Sequence, residues 1–323
     1  MISKERPFPI KIQKLEVLLL RLLDTHPKTT FIKENLSKSL AGYNGEKSID
    51  YYLSLLPEKS FSILHDIRLF SNDRYFQIDT ILLTKSFLLI LEVKNLAGSI
   101  EFDSMFNQII QKKNGVELAL PDPIIQIGMQ ESQFRSWLRE HQFPLIPIRT
   151  LIVISNSNTI IRSNDKNVSQ QVIHAPMLPK KITQMSSEYN DTVLLDKEIR
   201  RMIRLIKKFD TPLNPSIINQ YNISKGDIIN GVICEVCGYL SLDRVHGYWY
   251  CPACQKKSKS AHLKALEHYY LLFGEEITGQ QLKEFLIISS PSLATRILNA
   301  TSVSSRGNGK GRVHTLPPNH KQP

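Results

Sequence analysis

The sequence predicts an α/β domain with two small satellites, a cysteine-held zinc ribbon and a C-terminal helical module. Three observations carry this. Residues 41–165 read as helix, three strands, helix, strand, the alternation that builds a sheet flanked by helices. Two CxxC pairs stand 13 residues apart, and beyond them three short helical stretches precede a Gly-rich basic segment. A chain of 323 residues is long enough to bury one substantial core and still carry small modules.

The balance of 41 Lys+Arg against 30 Asp+Glu gives a formal charge of +11. That excess suits a polyanionic partner such as nucleic acid, although an anionic membrane surface attracts it too. No window reads as a membrane span: "LEVLLLRLL" is short and charged, and the apolar stretch 76–95 is interrupted by Lys85,. The opening "MISKERPFPIKIQK" lacks the apolar core and cleavage site of a signal peptide. A cytoplasmic protein with no membrane partner is therefore expected.

In chain order, residues 9–23 predict a helix within an N-terminal segment 1–40. Asn44-Gly45 reads as a turn, and the helix after it ends before Pro57, with Glu46, Ile49, Leu53 and Leu56 on one face,. Strands are predicted near 63–70, 76–83 and 87–94, with another at 99–102. A turn near 112–115 then leads to a helix that Asp122 caps and Pro123 opens,. "PIRTLIVIS" reads as a buried strand, and 156–171 as loop,. A connector, 166–230, holds an amphipathic helix at 196–209 whose Ile199, Met202, Ile203, Ile206 and Phe209 face one way,.

The stretch "FQIDTILLTKSFLLILEVKN" is two apolar strands carrying Asp79, Glu92 and Lys94. Alternation puts Glu92 and Lys94 on one face. A two-residue turn at Lys85-Ser86 makes paired positions sum to about 171, which sets Asp79 opposite Glu92. Facing carboxylates repel. A divalent cation with oxygen ligands, Mg²⁺ above all, relieves that repulsion; a salt bridge from Lys94 at an exposed sheet edge is the ordinary alternative.

In order and spacing, "GE" at 45–46, "QID" at 77–79, "LEVKN" at 91–95, "DPIIQ" at 122–126 and the later "LIVIS" resemble the nuclease-related domain, NERD, of the restriction-endonuclease-like superfamily with the PD-(D/E)xK motif. The resemblance covers about 41–160. It implies a mixed sheet flanked by helices, Asp79 and Glu92 as ligands of Mg²⁺ (or Mn²⁺), Lys94 as the catalytic lysine, Glu46 as the acid of the first core helix and Gln126 as the glutamine of the helix after the sheet. Phe87 departs from the family, which usually has glycine there.

Cys234, Cys237, Cys251 and Cys254 form the two CxxC pairs of a 231–258 module. Four thiolates make a closed tetrahedral site, structural rather than catalytic, and the spacing is that of a Zn²⁺ ribbon. Tyr239, Tyr248, Trp249 and Tyr250 are expected mostly to pack this small core, and His246 to lie at the surface. Over 259–316, "SAHLKALEHYYLLFG", "TGQQLKEFLII" and "SPSLATRILNA" predict helices, and "TSVSSRGNGKGRVHTL" resembles the wing of a winged helix. Arg296, on the third helix, and Arg306, Lys310 and Arg312, in a tip without local acids, are the candidate DNA contacts. Residues 317–323 form a tail.

Together these readings predict a Mg²⁺-dependent DNA nuclease with a structural zinc site. The rival readings are a non-catalytic DNA-binding or regulatory protein on a nuclease-like scaffold, and an interaction module meeting RNA or a membrane.

Overall fold

The structure, a computed structural model, describes residues 2–57 and 60–318, without the side chain of Lys310. It divides into two compact units, one of Met1–Phe8 with Lys38–Leu213 and the other of Pro9–Ser37 with Asn214–Pro323. Strand β1 (Ile2–Lys4) belongs to the first and helix α1 (Ile10–Leu20) to the second, while α2 (Thr29–Ser54) carries residues of both.

The first unit is a mixed α/β fold. An antiparallel meander, β2 (Ser62–Ser71), β3 (Arg74–Leu83) and β4 (Leu88–Lys94), forms the centre of its main sheet. A second sheet follows, from β5 (Ser99–Asp103), β6 (Gln108–Lys113) and β7 (Val116–Pro121). Then come α3 (Pro123–Glu140), β8 (Ile148–Ile154), β9 (Ile160–Ser163), α4 (Lys166–Gln171), β10 (Val172–His174), α5 (Leu178–Glu188) and α6 (Asp196–Phe209). The six-stranded order is β1-β2-β3-β4-β8-β10, with β8 and β10 parallel to β4, and the smaller sheet runs β7-β6-β5-β9.

Both faces of the main sheet are covered, which is why its central strands read as apolar runs. On one face Leu88, Ile90 and Ile152 pack with Ile127, Phe134 and Trp137 of α3 and Met202 and Ile206 of α6. On the other, Leu89, Leu91 and Leu151 pack with Ile49 and Leu53 of α2 and Leu178 and Ile182 of α5. The helix predicted at 196–209 buries Met202 and Ile206 of its marked stripe and half-buries Ile199 and Ile203, while Phe209, Lys207 and Lys208 stay exposed.

Three local expectations change. Asn44-Gly45 is not a turn but lies inside α2; a Cβ on Gly45 would come within 2.5 Å of the Asn95 Cβ and 2.9 Å of the Ser155 Oγ. The glycine serves close approach of the helix to the sheet rather than a reversal. The segment 108–121 holds a hairpin, β6 and β7, turned at Asn114 (φ 51°) and Gly115 (φ 78°), the two positive φ values that an Asn-Gly hairpin turn takes. The loop expected over 156–171 contains β9 and α4.

The second unit has its own core, in which α1, the cysteine hairpin and the C-terminal helices meet. After α7 (Ile217–Gln220), the short strands β11 (Asp243–Val245), β12 (Tyr248–Tyr250) and β13 (Lys257–Ser258) form an antiparallel sheet. Next come α8 (Ala261–Phe273), β14 (Glu276–Thr278), α9 (Gly279–Leu286), α10 (Pro291–Thr301), β15 (Ser304–Arg306) and β16 (Val313–Thr315), with sheet order β14-β16-β15. Thr278 and Ser290 cap α9 and α10 through the N–H groups of Gln281 and Leu293. No helix among the described residues is long and apolar enough to cross a membrane.

Candidate active site and metal centre

The β3–β4 register fixes the acidic site. Thr80 pairs with Leu91 and Leu83 with Leu88, so paired positions sum to 171 and Asp79 falls opposite Glu92. Phe87, where a glycine was expected, is accommodated because the Thr84 hydroxyl accepts from the Phe87 N–H at 2.9 Å and the Thr84 N–H bonds the Phe87 carbonyl at 3.1 Å.

Glu92 is buried and accepts from three donors, which leaves one of its acceptor sites open,. Lys94 Nζ lies 2.7 Å and Gln126 Nε2 2.7 Å from its Oε1, and Gln130 Nε2 donates to its Oε2 at 2.8 Å. Lys94 Nζ also donates to Gln126 Oε1 at 2.9 Å, closing a triangle of Lys94, Glu92 and Gln126. Two of the ammonium's three donors are thereby used, which leaves one for another acceptor. Asp122 accepts from the Ile124 N–H at 2.8 Å with Pro123 in the first turn, so the cap predicted from sequence is what begins the helix that delivers Gln126 and Gln130.

Asp79 Oδ2 accepts from the Val93 N–H at 2.8 Å. Burial first, then the charges of Glu92 and Glu46, push its carboxyl well above the ordinary range, against the pull of the Val93 N–H and Lys94. Glu46 is raised to about 7, chiefly by burial, opposed by Arg6 and reinforced by Asp66 and Glu92. Burial is the larger cause at both positions and favours the neutral carboxyl,, and the carboxylates, once ionised, offer hard oxygen ligands. Carboxylate oxygens are the ligand type that a hard divalent cation takes.

Arg6, Asp66 and Gln130 were not visible as site residues in the sequence. The Arg6 guanidinium is nearly buried and donates to Glu46 Oε2 at 2.9 Å, Asp50 Oδ1 at 3.1 Å, Thr80 Oγ1 at 3.1 Å and His65 Nδ1 at 2.9 Å. Arginine only donates, so His65 Nδ1 is the unprotonated nitrogen, and burial together with Arg6 holds that imidazole down to about 4. Asp66 sits across from Asp79 between the pairs His65–Thr80 and Ile67–Ile78, with φ 49°. Aspartate tolerates this left-handed conformation better than most residues. The signals were a lone arginine near the start and an aspartate inside an apolar strand, neither distinctive alone.

In the second unit the four cysteine sulfurs lie within 4.8 Å of one another. Cys234 and Cys254 Sγ are 3.6 Å apart, as are those of Cys237 and Cys251. The residue after each pair, Gly238 (φ 73°) and Gln255 (φ 60°), takes a left-handed conformation that folds its N–H back onto the carbonyl of Cys234 or Cys251. Four soft ligands so gathered can hold a metal such as zinc. Trp249 is fully buried and donates to His262 Nδ1 at 3.2 Å, whereas Tyr239 and His246 are exposed.

The basic candidates separate. Arg296 is exposed on α10, on the face of Ser292, Thr295 and Asn299. Arg306 pairs with Glu276 at 2.8 Å, so the tip does have an acid, brought from β14 by the ladder with β16 and invisible to local reading. Arg312 Nε donates to Ser305 Oγ at 3.0 Å. The side chain of Lys310 lies outside the described residues.

Comparison with known proteins gives one match: residues 41–155 fit the family model of the nuclease-related domain, NERD. Neither the curated proteins nor the solved structures searched contain a match to the chain.

Proposed function

We propose that the chain is a divalent-metal-dependent nuclease that hydrolyses phosphodiester bonds in DNA. The observation that carries this is the closed triangle of Lys94, Glu92 and Gln126 beside Asp79, inside the segment that fits the nuclease-related family. Asp79 and Glu92, with Glu46 beside them, would hold Mg²⁺ or Mn²⁺. When bound, such a cation polarises a phosphoryl oxygen and neutralises the charge that develops on it.

Lys94 does the rest of the electrostatic work. Glu92 and Gln126 fix its ammonium, so its remaining N–H meets a phosphate oxygen with little loss of side-chain freedom and stabilises the added charge as the nucleophile attacks. Gln126 orients both Lys94 and Glu92 and is a positioning residue.

The remaining parts serve binding. Cys234, Cys237, Cys251 and Cys254 hold a structural Zn²⁺, a use of free thiols that suits a reducing cytoplasm. The order of α8, β14, α9, α10, β15 and β16 is that of a winged helix, with α10 as the recognition helix. Arg296, Arg306, Lys310 and Arg312 would contact DNA phosphates. The functional division is a nuclease domain built on 41–165 and completed by β10, α5 and α6 of the segment 166–213, a ribbon at 231–258 and a DNA-binding module at 259–316.

Purified protein incubated with supercoiled, linear and single-stranded DNA, in Mg²⁺, Mn²⁺ or chelator, tests this. Cleavage that needs the cation and disappears in Asp79→Ala is expected. DNA binding without cleavage under all conditions would assign the chain instead to a non-catalytic DNA-binding role.

A further inference from the structure

A cleft of about 780 Å³ opens beside β10, the outermost strand of the main sheet, and none of the acidic-site residues lines it. The cleft wraps the free sheet edge. On one side stands α4, whose Val168 packs on the face covered by α3; on the other stands α5, whose Leu178 and Ile182 pack on the opposite face. Met177, Lys180, Lys181 and Gln184 project into it at the three- and four-residue spacing of one helix face, and Lys166 faces them from α4,.

The lining is cationic and unspent. Among the described residues none of the ammonium groups of Lys166, Lys180 and Lys181 has an ion-pair partner. The lining carboxylate, Asp165, has Oδ1 committed to the Asn167 N–H at 2.8 Å. His174 adds a ring whose Nδ1 is shielded from solvent and unpartnered, so its hydrogen bonding is left to Nε2.

Sheet register ties this cleft to the acidic site. Lys94 pairs with Ile154, and Ile154 with His174. In a parallel ladder such a row shares one face, so His174 lies on the face of Lys94, two strands and about 10 Å away. At the 3.4 Å or so of helix axis per nucleotide of one duplex strand, that is about three nucleotides of a strand that keeps helical stacking.

We propose that this cleft binds the phosphate backbone of the nucleic-acid strand where it leaves the scissile bond across β8 and β10. The assignment rests on the nuclease reading for its direction but not for its chemistry, which is phosphate recognition by three lysines and an imidazole. An acidic peptide added to the sheet edge fits less well, because β10 has only three residues and offers a short ladder of free backbone groups.

Lysine acetylation of the full zinc-loaded chain, read by mass spectrometry without added Mg²⁺ or Mn²⁺ so that nothing is cleaved, tests the cleft locally. Lys166, Lys180 and Lys181 should be protected by a single-stranded oligonucleotide and not by a nucleoside monophosphate or polyglutamate. Alongside, the triple variant Lys166→Glu, Lys180→Glu, Lys181→Glu should keep the thermal midpoint of the parent and lower the log–log salt slope of oligonucleotide binding by about 2. Equal protection by polyglutamate would make the cleft a peptide site, and protection by the monophosphate alone a small-anion site; either result, or no protection, overturns the proposal. If Mg²⁺ supports no cleavage by the parent while these lysines are still protected, the nuclease reading fails and the phosphate site stands.

Discussion

Arg6 Nη1 lies 2.9 Å from Glu46 Oε2, so the acid of the first core helix is held by a cation from a segment that precedes the family match at 41–155. The same guanidinium reaches Asp50, His65 and Thr80, tying the N-terminal strand, α2 and two sheet strands together. Arg6→Gln removes the charge that offsets Glu46 and Asp50. Denaturant unfolding should show a loss of about 1.5–3 kcal/mol, the range for hydrogen bonds to charged groups. Adding Glu46→Gln should restore part of that loss, because the uncompensated carboxylate is then gone.

Two glycines of α2 should respond oppositely to alanine. At Gly45 the new Cβ meets Asn95 and Ser155 at 2.5 and 2.9 Å, and overpacking of this kind costs about 1–3 kcal/mol. At Gly42 nothing lies within 4 Å, so Gly42→Ala should stabilise by about 0.5–1 kcal/mol through helix propensity. Thermal midpoints of the two variants measure the contrast.

Much of this site was legible in the sequence, and the parts that were not share a cause. The facing of Asp79 and Glu92, and the place of Lys94, followed from strand alternation and a two-residue turn, which are local rules. Asp122 and Pro123 announced the helix bearing Gln126 in the same way. Gly45 was read as a turn because Asn-Gly signals one locally, and the packing against Asn95 and Ser155 that overrides the signal is long-range. Arg6 meets Glu46 where the N-terminal segment packs on α2, and Arg306 meets Glu276 through sheet pairing; no single window of sequence contains either pair. The hairpin of β6 and β7 was missed although its Asn-Gly turn was in view, because neither QIIQKK nor VELALP keeps a regular two-residue alternation throughout,.

Acid should weaken the second unit through His268. Its ring is buried, accepts from Arg21 Nε at 3.1 Å, and is lowered to about 3 by burial and then by Arg21. A native imidazole held below its unfolded value near 6.5 binds fewer protons than the unfolded chain. Its contribution is therefore complete above about pH 6.5 and is lost as pH falls toward 3, at up to about 1.4 kcal/mol per pH unit. Unfolding free energies measured between these limits should fall less steeply in His268→Gln.

The cysteine cluster predicts about one zinc per chain by elemental analysis, removed by strong chelator with loss of structure in the second unit. Cys237→Ser should lower both zinc content and the thermal midpoint, since the binding energy of such a site is folding energy.

Lys94→Ala tests the central claim most directly. The account predicts a cleavage rate in Mg²⁺ lowered by about 10²–10³, as for loss of one preorganised donor to developing charge, in protein that is folded and zinc-loaded at the assay temperature. An unchanged rate in a folded, zinc-loaded Lys94→Ala protein would contradict it.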